Sequence, residues 1–456
     1  MIPRFHRRTR ASRNERGQTL ILVAVSLLSL VGIAALAIDM TTLYVARAEI
    51  QHAADAAALA GAKTFVDSGV TTDPSNSALQ GIAQTMARDF VTAVVAQNNV
   101  AGSPPQLVSG SPLINVIPTS NNVGNPRITV TLQRANLPLF FARIWGGTSA
   151  SVSATAIAEA YNPSFSAANT GSFISTAPKC VKPFLVPNND PNPTQTGNPP
   201  FVIPSTGTIN SSAISFVGES ITLTPACKSG GQQNAGCILP TFNPAKPAPQ
   251  VSPGQYVPLV PPDTHQYCPS ASAPGCSPGG TDFEQSTKCC DGIAFSFPRC
   301  GTSAAIATWD PNTNPWGPNG PAKQGLQCLI HTTNSGPPSG NTVQDTLLIP
   351  GVPPNPGQMQ IQAGDYTHSR YNIPIGTVIA TSDSIITVPL FENTTNAPLP
   401  PTVTIVGFLQ LFVDYVNNTG DVYAHILNVS GCGTSSSGTV ASGGGVSPIP
   451  VRLVHN

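Results

Sequence analysis

The longest patterned stretch lies at the start of the chain. Thr19 to Ile38 reads TLILVAVSLLSLVGIAALAI, twenty residues with no charge among them. At 1.5 Å of rise per residue this run covers about 30 Å, the thickness of a bilayer's hydrocarbon core. The membrane-anchor residues it offers are Thr19, Leu20, Ile21, Leu22, Val23, Leu27, Leu28, Leu30, Val31, Ile33, Leu36 and Ile38. The helical pattern continues past the apolar run. In DMTTLYVARAEIQHAADAAALAGAKTFV, the residues Leu43, Ala46, Ile50, Ala53, Ala57 and Ala60 recur at spacings of three and four with no Pro between them. A single helix from about Gln18 to Val66 follows, roughly 70 Å long, with half of it outside a membrane. The competing reading is a cleaved signal peptide, for which Ala35-Leu36-Ala37 would supply the small-x-small site. Against it, a signal peptide's apolar region runs about 7–15 residues, and this one is longer.

After a turn over Asp67 to Asn76, residues Ser77 to Gln97 form a second amphipathic helix, with Leu79, Ile82, Met86, Phe90 and Val94 as its apolar stripe. Period-two alternation then takes over. Ile128, Val130 and Leu132 alternate with Thr129, Thr131 and Gln133, and Val152, Ala154, Ala156 and Ala158 share one face of a second strand. Helices followed by antiparallel strands predict an α+β unit. From Asn162 the pattern breaks into short apolar runs (FLV at 184, FVI at 201, SITL at 220) between clusters of Pro, Asn and Gly. From Thr342 longer strand signals return in VQDTLLIP, GTVIATSDSIITVPLF, TVTIVGFLQLFVDYV and VYAHILNV. The expected organisation is a basic arm (1–18), a transmembrane helix (19–38) and an α+β domain (39–161). A Pro/Cys-rich irregular β region (162–341), a β-rich C-terminal module (342–430) and a flexible Gly/Ser-rich tail (431–456) complete it.

Composition narrows the function classes. Charged residues make up 9% of the chain, and 21 basic residues balance 21 acidic ones. Nucleic-acid binding needs a basic face and is not expected. The first 16 residues hold Arg4, Arg7, Arg8, Arg10, Arg13 and Arg16 against Glu15, which predicts a cytoplasmic N-terminus by the positive-inside rule. The ten cysteines are Cys180, Cys227, Cys237, Cys268, Cys276, Cys289, Cys290, Cys300, Cys328 and Cys432, with no CxxC pair among them. Disulfides in an oxidising compartment are the expectation, and the adjacent Cys289 and Cys290 should bond to different partners. Connectivity stays open.

No catalytic constellation is visible. GxSxG, HExxH and Walker A motifs are missing, and the seven histidines are scattered. Asp310, Asn312 and Asn314 in DPNTNPWG have a partial calcium-loop spacing, but Pro315 and Pro321 stand where an EF-hand needs Gly and Glu, so a turn is expected. Asn188-Asn189-Asp190 reads as a turn too. Asp39, at the outer end of the apolar run, can reach interfacial water and needs no functional explanation, although a role in pairing with another helix stays open. The small-residue stripe offers the same choice between packing on its own sheet and contacting a partner helix.

Arg16-Gly17-Gln18, the apolar run and then AIDMTTLYVARAEIQHAADAAALAGA (Ala37 to Ala62) resemble the N-terminal region of TadG-like proteins, of the TadE/G group in tight-adherence (Flp) pilus assembly. The matching motif positions are Ile38-Asp39, Tyr44, Arg47 and the run Ala53 to Ala62, which includes Ala54, Asp55 and Ala57. LPLFFARIWGGTSASVSATAIAEA (Leu137 to Ala160) is similar to the phrase that closes the group's first domain, and TVPLFENT…TVTIVGFLQLFV more loosely to the group's C-terminal end. Two features depart from relatives: Leu22 stands where prepilins carry Glu counted from Gly17, and no DxSxS metal motif occurs.

The resemblance implies a non-enzymatic, single-pass bacterial inner-membrane protein without cofactor, with its bulk periplasmic or extracellular, helping to assemble a thin adhesive pilus. Its implied partners are the inner membrane, other pilus-assembly components and possible homo- or hetero-oligomers. Asp39, Tyr44, Arg47, Ala53, Ala54, Asp55 and Ala57 are the implied contact positions. The alternative function is a secreted or surface adhesin with a cleaved signal peptide.

Overall fold

The computed structural model describes residues 15–74, 76–116, 125–139, 141, 147, 149–162, 176–191, 198–205, 207–210, 217–226, 251–260, 267–290, 306–308, 317, 319–338, 344–349, 359–379, 381–392, 399–400, 402–431, 441–442 and 447–454. Helix α1 (Glu15–Asp67) runs unbroken for 53 residues, about 80 Å. Helix α2 (Ser77–Gln97) follows, then strands β1 (Gln106–Leu107), β2 (Leu113–Asn115), β3 (Arg127–Pro138) and β4 (Ser149–Ala160). Next come β5 (Thr176–Ala177), β6 (Phe184–Pro187), β7 (Val202–Ile203), β8 (Thr208–Ile209), β9 (Ser220–Pro225), β10 (Gln255–Pro258), α3 (Asp282–Lys288), β11 (Ile306–Thr308) and α4 (Pro321–Leu329). The chain ends through β12 (Thr346–Leu348), β13 (Gln360–Gln362), α5 (Asp365–Tyr371), β14 (Val378–Ile379), β15 (Ile385–Phe391), β16 (Thr402–Val416), β17 (Val422–Gly431), β18 (Ala441–Ser442) and β19 (Val451–Val454).

The first unit is α+β, as its periodicity predicts. α1 and α2 pack on a sheet ordered β1-β3-β4-β19, with β2 also on β3. Ile128, Val130 and Leu132 lie opposite Ala158, Ala156 and Ala154 and face the helices. The small residues of α1 permit this contact. A Cβ at Gly61 would sit 2.5 Å from Ile128 Cδ1, so helix and sheet meet where the side chain is smallest. α2 has the expected bounds, but the row it contributes to the shared core is Ala83, Ala87, Val91 and Val95, with Ile82 and Met86 buried beside it. Leu79 and Val94 are only partly buried. The small Ala83 and Ala87 let α2 approach α1 closely, which turns the larger residues toward the flank of the contact.

The second unit is a closed barrel. The strands run β16-β15-β6-β10-β9-β17, and β17 pairs back onto β16. The β15–β6 and β10–β9 pairs are parallel and the other four antiparallel. Alternate residues of all six strands, among them Val186, Leu223, Tyr256, Val388, Leu409 and Ile426, form one buried cluster, as a barrel interior requires. This corrects the expected organisation, since residues 162–341 and 342–430 contribute strands to one sheet. The physical reason is strand length. β6 and β10 have four residues each, too few to stand alone, and they complete a sheet whose backbone is the 15-residue β16.

The chain's end is a second correction. Val451–Val454, expected in a flexible tail, pairs antiparallel with β4. Glu159 on β4 is 1% exposed, and Arg127 from β3 (2.8 Å) and Arg452 from β19 (2.7 Å) both bind its carboxylate. A buried carboxylate needs such partners, and β19 supplies one of them.

Short helices α3 and α4 interrupt the region expected to be irregular. Thr281 caps α3 and Glu284 stands three residues on, a capping-box spacing; Pro321 opens α4. Cys180–Cys290, Cys268–Cys289 and Cys276–Cys328 form disulfides with Cα separations of 4.5, 4.1 and 4.2 Å, so the adjacent cysteines do bond to different partners. Cys227, Cys237, Cys300, Cys432 and residues 310–316 of the DPNTNPWG loop lie outside the described residues.

A buried polar joint ties the two units. Asn428, on β17, donates through Nδ2 to Val66 O (2.7 Å) at the end of α1 and to Gln410 Oε1 (2.8 Å). Its Oδ1 accepts from the hydroxyls of Thr71 (3.1 Å) and Thr72 (3.2 Å), and Asn162 donates to Thr71 O (2.9 Å).

Candidate functional site

Two regions of the molecule have functional character. The first is α1. Its anchor residues project outward, with Leu20 at 72% and Leu28 at 77% exposure, and it is the one described helix long and apolar enough to cross a membrane. Asp39 departs from that exposed surface. It is 4% exposed and accepts the backbone N–H of Phe141 at 3.0 Å, so the outer end of the apolar run meets the segment that follows β3. The bond gives the carboxylate a partner at the outer end of the apolar run.

The remaining motif residues divide by face. Ala53, Ala54 and Ala57 are buried against the protein's own sheet and α2. Asp55 is half-buried and accepts from Gln51 Nε2 at 2.8 Å. Tyr44 (77% exposed) and Arg47 point away from the fold, as do Met40 and Val45. Packing within the chain therefore accounts for the alanines and leaves Tyr44 and Arg47 to solvent or a partner. Where α1 ends, burial holds the Asp67 carboxyl above its ordinary pKa, partly offset by Lys63 one turn earlier.

The second region is a cleft of about 580 Å³ that sequence reasoning did not find. It lies where α5, the disulfide-bonded segment leading into α3, the start of β15, the approach to β19 and the last turns of α1 converge. Its lining residues are far apart in the sequence and share no motif, so only the folded chain assembles them. Cys268–Cys289 and Cys180–Cys290 form part of one wall. His331, buried and in a left-handed backbone conformation (φ 57°), has Nε2 2.8 Å from Asp383 Oδ2 and stacks on Tyr366 with ring centroids 3.6 Å apart. Lys182 donates to Cys289 O at 2.8 Å; Lys288 donates to Glu284 (3.0 Å) and to backbone carbonyls of the same segment. Among the described residues no group of three His, Cys, Asp or Glu side chains is placed to hold a metal. The Asn188 turn is structural: its side-chain amide bonds both Val202 O and Val202 N.

The comparisons bear on the first region. Residues 17–64 match the family model described as "Putative Flp pilus-assembly TadE/G-like". This segment, which holds the apolar run and the whole of the small-residue run to Ala62, is thus TadE/G-like. Searches of curated proteins and of solved structures find no match.

Proposed function

We propose that the protein is a membrane-anchored, envelope-facing structural component of Flp pilus assembly that works by helix and surface contacts rather than catalysis. The observation that carries this reading is the coincidence of the TadE/G-like match over 17–64 with one unbroken helix. The first half of that helix has an exposed apolar surface, and its second half is the core of a folded unit. A helix of this kind, continuous from anchor to head, transmits position rigidly from the membrane to the barrel. The six arginines before the apolar run favour a cytoplasmic N-terminus. The disulfides favour an oxidising compartment for the rest. Tyr44 and Arg47, exposed just beyond the apolar run, are the proposed contacts with another assembly component.

Membrane fractionation and intact mass in the native host test the anchor. A full-length species that resists carbonate extraction is expected. A soluble species beginning near Ile38 would overturn the anchoring and point to a secreted adhesin. Combined Tyr44→Ala and Arg47→Ala substitution should abolish pilus formation while protein level and membrane fraction stay normal. Unchanged piliation would exclude these contacts.

A further inference from the structure

The geometry points to the cleft beside α5 as a binding site for an acidic carbohydrate. Large aromatic side chains are normally covered, yet Tyr267 is 76% and Tyr371 60% exposed on its walls. Each sits at a defined point of the backbone, and the Tyr371 ring also lies against Arg370. Tyr267 has φ 52° and precedes the Cys268–Cys289 disulfide. Tyr371 ends α5, where Asn372 adopts a left-handed cap and His368 Nδ1 lies 2.9 Å from Ile373 O. Tyr366, stacked on His331, gives the cleft a third ring. Exposed ring faces suit the flat C–H faces of a sugar.

Polar groups complete the site. The Asp383 carboxylate is bonded to His331 through one oxygen, yet its side chain stays 59% exposed and able to accept sugar hydroxyls. The lining holds Lys63, Lys182, Lys288 and Arg370 against this single carboxylate. Asp67 and Glu284 stand behind Lys63 and Lys288 and neutralise part of that excess. Arg370 forms no ion pair among the described residues; its guanidinium lies 5.7 Å from the Tyr371 ring centroid on the exposed rim. A cation beside an aromatic platform selects a sugar bearing a carboxylate or sulfate over a neutral one. This inference stands on the cleft alone, so its failure leaves the anchoring and assembly reading untouched.

The test uses the detergent-solubilised full chain on an array of uronic-acid, sialylated and sulfated oligosaccharides beside their neutral counterparts, with affinities from titration calorimetry. Retention of acidic members is expected. Tyr371→Ala, Tyr267→Ala and Arg370→Gln should each weaken binding by about tenfold, with melting temperature unchanged because all three side chains are exposed. Tyr371→Phe should keep the affinity. Failure to retain any acidic member, equal binding of the neutral counterparts, or binding indifferent to the tyrosine substitutions would each overturn the assignment. So would a preference for a tetra-aspartate peptide over every glycan.

Discussion

Asn428→Ala tests whether α1 and the barrel are one mechanical body. Asn428 is fully buried and makes four hydrogen bonds at 2.7–3.2 Å, two as donor and two as acceptor. At about 1 kcal/mol net for each, the gross loss is about 4 kcal/mol. Part is recovered. Val66 O also accepts from Gly69 N (3.1 Å), and Thr72 Oγ1 still accepts from Val429 N (3.1 Å). Gln410 Oε1 and the Thr71 hydroxyl, both buried, keep the full penalty of losing a partner. We therefore expect Asn428→Ala to destabilise the chain by about 3 kcal/mol. Denaturant unfolding of the full chain in micelles gives the magnitude. Hydrogen exchange localises it, because amides of residues 68–73, in the turn that follows α1, should exchange faster while the β3–β4 ladder keeps its protection. A loss below about 1 kcal/mol, or unchanged exchange over 68–73, would refute the joint.

Three further predictions concern the core, the disulfides and pH. Ala57→Leu places added volume where the side chain is 0% exposed between helix and sheet and should cost about 1–3 kcal/mol; Ala56→Leu, on the exposed face, should leave the melting temperature unchanged. The reverse order would mean that the stripe faces a partner and not this sheet. Replacing both Cys276 and Cys328 with Ser opens a loop spanning 52 residues, for which chain entropy predicts a loss of about 4 kcal/mol. The variant's melt should match the wild type's only after reduction of the latter's Cys276–Cys328 bond.

The Asp67 carboxyl, held above its ordinary value of 3.8 by burial, binds a proton more readily in the folded chain than in the unfolded one. Its contribution therefore falls as pH rises from 3.8 through the raised value, and the cost of the buried charge persists above it. In Asp67→Asn that portion of the pH profile of melting should flatten. An unchanged profile would remove Asp67 as its source.

The sequence alone determined the elements whose signal is local. The twenty uncharged residues from Thr19 to Ile38, the helical run beyond them, the bounds of α2 and the alternation in β3, β4 and β15–β17 depend on neighbours within a few positions. The family motif was legible for the same reason, since its residues lie on one continuous helix. α3 and α4 had local signals too, the Thr281–Glu284 spacing and Pro321, but both helices are short and sit among Pro, Gly and Cys. Tertiary structure decided everything that rests on distant pairs. Only the closed barrel shows that four-residue strands near 184 and 255 belong with β15–β17, because their pattern is too short to specify a partner. The ladder with β4 and the Glu159 ion pair explain why Val451–Val454 form a strand, and the polar joint at Asn428 ties the end of α1 to the barrel. The cleft is the extreme case. Lys63, Tyr267, His331, Arg370 and Asp383 meet through folding, disulfide pairing and barrel closure, none of which a linear pattern records.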